Sequence, residues 1–168
     1  MDTLWSPWRY RYLTAPKPAS ADCVFCSMAA SDADQENLLL YRAQHCFVVL
    51  NRFPYSSGHL MVLPYAHAAD LSEVGEAVAT EMMLLTRWAA KCIRQVYRPD
   101  GINLGMNLGE AAGAGVAGHI HMHVLPRWRG DANFITTIGE TRVIPEELDV
   151  TWTRLRDAMA SDPFTASA

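Results

Sequence analysis

Two short runs, CFVVLN (46–51) and GHLMVLP (58–64), are apolar and rich in β-branched residues, the pattern of buried strands. The RFPYSSG between them carries Pro54, Ser56, Ser57 and Gly58, residues that turn a chain, so the pair reads as a hairpin. From Ser72 the period lengthens. Val74, Val78, Met82, Leu85, Trp88, Ala89, Cys92 and Val96 return at three- and four-residue steps, which predicts a long helix with Ser72 at its N-cap and Pro99 as its stop. Asp100-Gly101 then turns the chain into INLGMNL (102–108). After the loop GEAAGAGVAG (109–118) a second strand is expected over 119–125, ended by Pro126. EELDVTWTRLRDAMA (146–160) places Leu148, Trp152, Leu155 and Met159 on one face of a short final helix.

The order strand, strand, long helix, strand, strand predicts an α+β domain, a mostly antiparallel sheet with the helix packed on one face. Ahead of it, SDADQEN (31–37) reads as a polar turn. Residues 1–22 combine Pro7, Pro16 and Pro18 with Trp5, Trp8, Tyr10 and Tyr12, an extended arm whose rings are expected to dock on another surface. At 168 residues and half apolar, the chain is long enough for one domain and too short for two. The expected division is an arm at 1–22, a main domain at 23–150, and a helix and tail at 151–168.

Charge narrows the partners. The 18 acidic and 14 basic residues give a net charge of −4 without any basic block, so nucleic acid is not an expected partner. No apolar run could span a bilayer, and the aromatic, charged start MDTLWSPWRYRYL lacks the layout of a secretory signal. A soluble, cytoplasmic protein without membrane contact is expected. In that compartment Cys23, Cys26, Cys46 and Cys92 read as thiols or metal ligands rather than disulfides.

The chemistry concentrates in GAGVAGHIHMHVLP (113–126). Its G-x-G-x-x-G is not a dinucleotide fingerprint, because that needs a strand before it and a helix after it, and here a strand follows. Glycines still let backbone N–H groups approach an anion closely. In a strand, residues two apart share a face about 6.6 Å apart, so His119, His121 and His123 line one side while Ile120, Met122 and Val124 line the core. Three such residues span too far to converge on one metal ion. The other reading is covalent catalysis, with an imidazole attacking phosphorus and its neighbours stabilising the phosphoryl oxygens. Cys23-x-x-Cys26 alone leaves metal, redox and chance open, whereas Cys46 and Cys92 on apolar faces read as core.

His119-Ile120-His121-Met122-His123-Val124-Leu125 resembles the signature of the histidine triad superfamily of nucleotidyl hydrolases and transferases. LNRFPYSSGHLMVLPYAH (50–67) resembles that family's nucleoside-side hairpin, and NLGEAAGAGVAGHIHMHVLPRWRGDANF (107–134) its branch of diadenosine tetraphosphate phosphorylases and hydrolases. The resemblance implies catalytic roles for His119, His121, His123 and His59, with His121 forming a nucleotidyl-histidine intermediate and His123 facing the leaving group. It implies that Asn51 binds ribose, that Asn107 faces phosphate, and that Gly113, Ala114, Gly115 and Val116 wrap the phosphates. Phosphorylases of this branch carry Ser where this chain has Gly115. It further implies a structural Zn2+ on Cys23, Cys26, His67 and His119, a nucleotide substrate, and a homodimer. Phosphate or water would be the acceptor. An adenylate phosphoramidate hydrolase and a non-catalytic nucleotide-binding or sensing module are the alternatives.

Overall fold

The computed structural model describes residues 23–139 and 143–165, so the expected arm at 1–22 lies outside the described residues. Five strands form one antiparallel sheet in the order β1-β2-β3-β5-β4: β1 Leu39–Arg42, β2 Cys46–Leu50, β3 Leu60–Pro64, β4 Gly101–Met106 and β5 Met122–Arg127. Among the described residues four α-helices accompany it: α1 Val24–Ala30, α2 Glu76–Tyr97, α3 Phe134–Thr137 and α4 Leu148–Ser161. The α+β class, the hairpin, the long helix and the single domain agree with the sequence reading.

Register shows which face the long helix covers. Cys46 Sγ lies 3.7 Å from the Val78 carbonyl of α2, and Cys46 pairs with Pro64, Val48 with Val62 and Leu50 with Leu60. Val62 and Leu60 in turn oppose Met122 and Val124. Directly opposed residues point the same way, so this set faces α2, and Phe47, Val49, Met61, Leu63 and the odd-numbered residues of β5 face away. Both faces are buried: Phe47, Leu63, Val62 and Val124 have no exposed surface.

The structure departs from the expected elements in four places. The long helix does not start at Ser72. Asp70 Oδ1 accepts the Ser72 N–H, capping a separate 3-10 turn (Leu71–Glu73), and after extended Val74 the helix begins at Glu76 with Gly75 at its N-cap. β5 starts at Met122 rather than His119, because the Ile120 N–H bonds to the Ala68 carbonyl, outside the ladder. It continues through Pro126 to Arg127, since its pairing with β3 stops at Val124 and no neighbour there needs the missing N–H. Finally, β1 and α1 were not anticipated: one is a four-residue run, and the other is two turns with Phe25 alone fully buried, too short to display a period.

Candidate functional site

The face of β5 turned away from α2 carries His123, Leu125 and Arg127 in alternation, and His121 precedes them in the same alternation just before the strand. Next to β5, β4 contributes Gly105 directly opposite His123, and the same register carried one residue past Met106 sets Asn107 opposite His121. A Cβ on Gly105 would meet nothing within 4 Å, so the space over His123 on that side is open. On the other side, β3 places Met61 opposite His123, and His59 follows from the hairpin loop.

The hydrogen bonds fix where each imidazole carries its proton. His121 Nδ1 lies 2.9 Å from the His119 carbonyl, and a carbonyl only accepts, so Nδ1 holds the proton. With its single proton there, the ring presents a bare Nε2. His59 Nδ1 accepts the Tyr55 N–H at 3.1 Å, with the Asn51 amide nitrogen at 3.4 Å. His59 then donates through Nε2 to His123 Nδ1 at 3.0 Å, which leaves His123 with its proton on Nε2. The His121 and His123 rings are edge-on with centroids 4.8 Å apart. Burial, with His121 alongside, pushes the His123 pKa down to about 4, so this ring is neutral at pH 7. A bare nitrogen beside an N–H donor is the arrangement a nucleophile and an oxyanion partner require.

Asn51 has its Oδ1 accepting the Phe53 N–H at 2.9 Å, so its side chain ties the hairpin loop to His59. The glycine loop divides. Gly113, at φ +92°, sends its N–H to the Glu110 carbonyl, and Ala114, buried, sends its own to Gly109. Gly115 and Val116 make no such internal bond among the described residues, so their N–H groups are the ones left for an anion. No hydrogen bond joins this loop to the triad among the described residues.

His119 lies apart from the other two. It is fully buried, its Nε2 donates to the Pro64 carbonyl at 2.9 Å, and its Nδ1 points at Cys23 Sγ (3.4 Å) and Cys26 Sγ (3.6 Å). His67 Nδ1 stands 3.4 Å from Cys26 Sγ, and the four ligand atoms all lie within 4.8 Å of one another. Four ligands on one zinc ion at about 2.0–2.3 Å stand about 3.3–3.8 Å apart, so the donor set fits a tetrahedral cation. The Nε2–H to carbonyl bond is the outer support that orients a metal-binding histidine. Burial, reinforced by His67, lowers the His119 pKa and keeps the ring in the neutral form a metal needs.

Three contributors escaped the sequence reading. Phe25, between the two cysteines, packs its ring on both His119 (5.6 Å) and His121 (5.4 Å). The backbone N–H of Tyr55 sets the His59 proton, and the Pro64 carbonyl sets that of His119. A Phe inside C-x-x-C was a visible signal for the first; backbone groups leave none.

The HIT domain pattern matches residues 32–130. A Mycobacterium tuberculosis protein named AP-4-A phosphorylase is 40% identical over 170 residues, covering 97% of this chain and 87% of that relative. Among solved structures, a zinc-bound histidine triad family protein from Mycobacterium smegmatis superposes with a TM-score of 0.69 at 30% identity, over 84% of this chain and 95% of that one. A hypothetical histidine triad nucleotide-binding protein from Sulfolobus tokodaii gives 0.67 at 26%, over 83% and 93%. A domain pattern spanning more than half of the chain, and a relative this similar along nearly all of it, make the chain a member of the HIT family.

Proposed function

We propose that this chain cleaves dinucleoside polyphosphates through a nucleotidyl-histidine intermediate on His121, with phosphate as the acceptor. The observation that carries the reading is the pair of fixed tautomers, bare Nε2 on His121 and Nε2–H on His123. His121 Nε2 attacks the α-phosphorus, and the bond to the bridging oxygen breaks. A nucleotide leaves as an anion that needs no proton, and His123 Nε2–H donates a hydrogen bond to its oxygen. The intermediate keeps its Nδ1–H on the His119 carbonyl. An oxygen of phosphate then attacks phosphorus, the N–P bond breaks, and neutral His121 is restored with a nucleoside diphosphate as product. The 40% identical relative, named for phosphorolysis of AP-4-A, supports phosphate over water. Gly115, where such enzymes carry Ser, leaves only a backbone N–H for that second step.

Asn51 would meet the ribose, while Asn107, Gly115 and Val116 would meet the phosphates. Cys23, Cys26, His67 and His119 would hold Zn2+, which in a closed four-ligand site supplies rigidity rather than chemistry. A cytoplasmic homodimer completes the proposal, supported by β4 at the sheet edge with Leu104 52% exposed. Among the described residues no helix is long and apolar enough to cross a membrane. Product analysis of diadenosine tetraphosphate with and without phosphate tests the reading. ADP and ATP appearing only with phosphate support it; AMP and ATP with water alone reassign the acceptor; no cleavage under either condition overturns it.

A further inference from the structure

A second opening lies further along the histidine face. It is a cavity of about 240 Å3 walled by Tyr55 and Ser56 of the hairpin loop, Leu125 and Arg127 of β5, and Ala132 and Thr136 beyond it. Leu125 and Arg127 follow His123 on one face of the strand, so the cavity starts about 7 Å past His123 and extends to about 13 Å. Tyr55 is shared: its ring lies 6.2 Å from the His123 ring and forms the near wall of the cavity, half of its surface exposed. The walls are already tied together, because Ser56 Oγ donates to the Pro126 carbonyl at 2.9 Å.

The charge of the lining selects the ligand. Arg127 Nε and Nη2 bond both oxygens of Asp131 at 2.6 and 2.8 Å, and Nη1 bonds Asn103 Oδ1 at 2.9 Å. The guanidinium is neutralised, so the cavity offers no free cation for phosphate. It offers an aromatic ring, an aliphatic side chain, a hydroxyl and a neutral hydrogen-bonding pair. Those groups suit a flat, uncharged heterocycle with polar edges. The volume falls short of the roughly 300 Å3 and upward of a drug-sized pocket, which suits a base and its sugar rather than a whole nucleotide.

We propose that this cavity receives the second nucleoside of the substrate, its base against Tyr55. The proposal rests on His121 as the attacking residue and on His123 facing the leaving side. The polyphosphate of the leaving nucleotide then bridges from His123 to the cavity, and its charge stays outside.

Binding of two ligands to the His121→Ala protein, in which turnover is blocked, tests this. Diadenosine tetraphosphate and adenosine 5′-tetraphosphate share one nucleoside and the phosphates; only the first has a second nucleoside. The former is expected to bind at least about 10-fold more tightly. Adding Ala132→Phe, which fills the cavity, is expected to bring the ratio of the two Kd values to about one, whereas Ala132→Ser keeps it. If Ala132→Phe fails to fold by circular dichroism, Thr136→Phe takes its place. Equal Kd values before the cavity is filled, or a ratio that survives filling, overturn the subsite and leave the reading of His121 standing. Binding of neither ligand overturns the nucleotide reading as well, a result distinct from the other two.

Discussion

His119 and His121 stand two residues apart in one run of alternating histidines, yet they occupy opposite chemical situations. Both nitrogens of His119 are committed, one to the Pro64 carbonyl and one towards the Cys23 and Cys26 sulfurs, and the ring is fully buried. His121 commits only Nδ1, and commits it to the backbone of His119 itself. On the proposed roles, an anchoring histidine differs here from a reacting one in the number of ring nitrogens the fold occupies, not in exposure, since His121 is only 5% exposed. The two are also coupled. The His119 carbonyl sets the His121 tautomer, and Phe25 touches both rings.

If this division holds, the two histidines fail differently. His121→Ala is expected to lower the rate of diadenosine tetraphosphate cleavage by at least about 10^4-fold, since no other bare imidazole nitrogen stands ready to attack. Its zinc content should equal that of the parent. Rate by chromatography and metal by elemental analysis check this together; a variant that kept most of its rate, or that lost its zinc, would erase the distinction.

The next effect belongs to the anchoring side. Cys26→Ala, which removes one of the four proposed zinc ligands, is expected to abolish stoichiometric zinc and to destabilise the fold by about 3–5 kcal/mol. A chelator should lower the parent's Tm by a similar increment and leave that of Cys26→Ala unmoved. Activity should fall far less than in His121→Ala, because α1 with Phe25 loosens but His121, the proposed nucleophile, remains. A chelator-indifferent parent would show that the Cys and His cluster holds no ion.

The sequence made one half of this comparison readable and hid the other. Alternation in His119-Ile120-His121-Met122-His123 predicted a common face because period 2 is a property of a strand backbone, and it made the three rings equivalent, whereas the strand begins at Met122 and His119 stands apart. Their difference arises from Pro64, Tyr55 and Ala68, whose contributions are backbone N–H and C=O groups brought in from distant positions. Such groups are the same in every residue. Roles for single histidines entered only through the family resemblance. The long helix and the hairpin were legible because they repeat over many residues; α1 spans two turns, and β1 four residues. The start of the long helix was misplaced by a local competition, the Asp70 cap closing a short turn before the helix could begin.

A pH series sharpens the reacting side further. Burial holds the His123 pKa at about 4, below the ordinary value of about 6.5. Above about pH 6.5 the ring is neutral folded or unfolded, and it contributes no difference. Below that, the unfolded chain binds a proton that the folded chain refuses, so stability falls as pH drops from about 6.5 to 4. The loss from this one group between pH 7 and pH 4.5 is on the order of 2 kcal/mol. Urea unfolding at both pH values in the parent and in His123→Asn isolates it. The variant should lose less stability on acidification by about that amount, and equal losses would mean that the buried imidazole is not the source.

The smallest expected effect probes what holds the reacting side in place. Gly58 immediately precedes His59 and sits at φ +79°, where a side chain is strained. A Cβ there would lie 2.8 Å from Tyr97 Cε2 and 3.0 Å from Cδ2. Tyr97 has little room to retreat, because its hydroxyl bonds Glu146, the Arg154 guanidinium lies over its ring at 4.8 Å, and Trp128 packs edge-on at 6.4 Å. Gly58→Ala is therefore expected to cost about 2 kcal/mol, roughly half from the backbone and half from the ring. Because the hairpin loop must shift to relieve the contact, the His59 to His123 bond shifts with it, and the rate should fall several-fold while zinc content stays unchanged. The two contributions separate in a double-mutant cycle: in a Tyr97→Leu background the ring's share vanishes and the backbone's remains, so Gly58→Ala should cost about 1 kcal/mol there. A full cost in both backgrounds would mean that φ alone reserves this position for glycine, and that Tyr97 does not support the hairpin that carries His59.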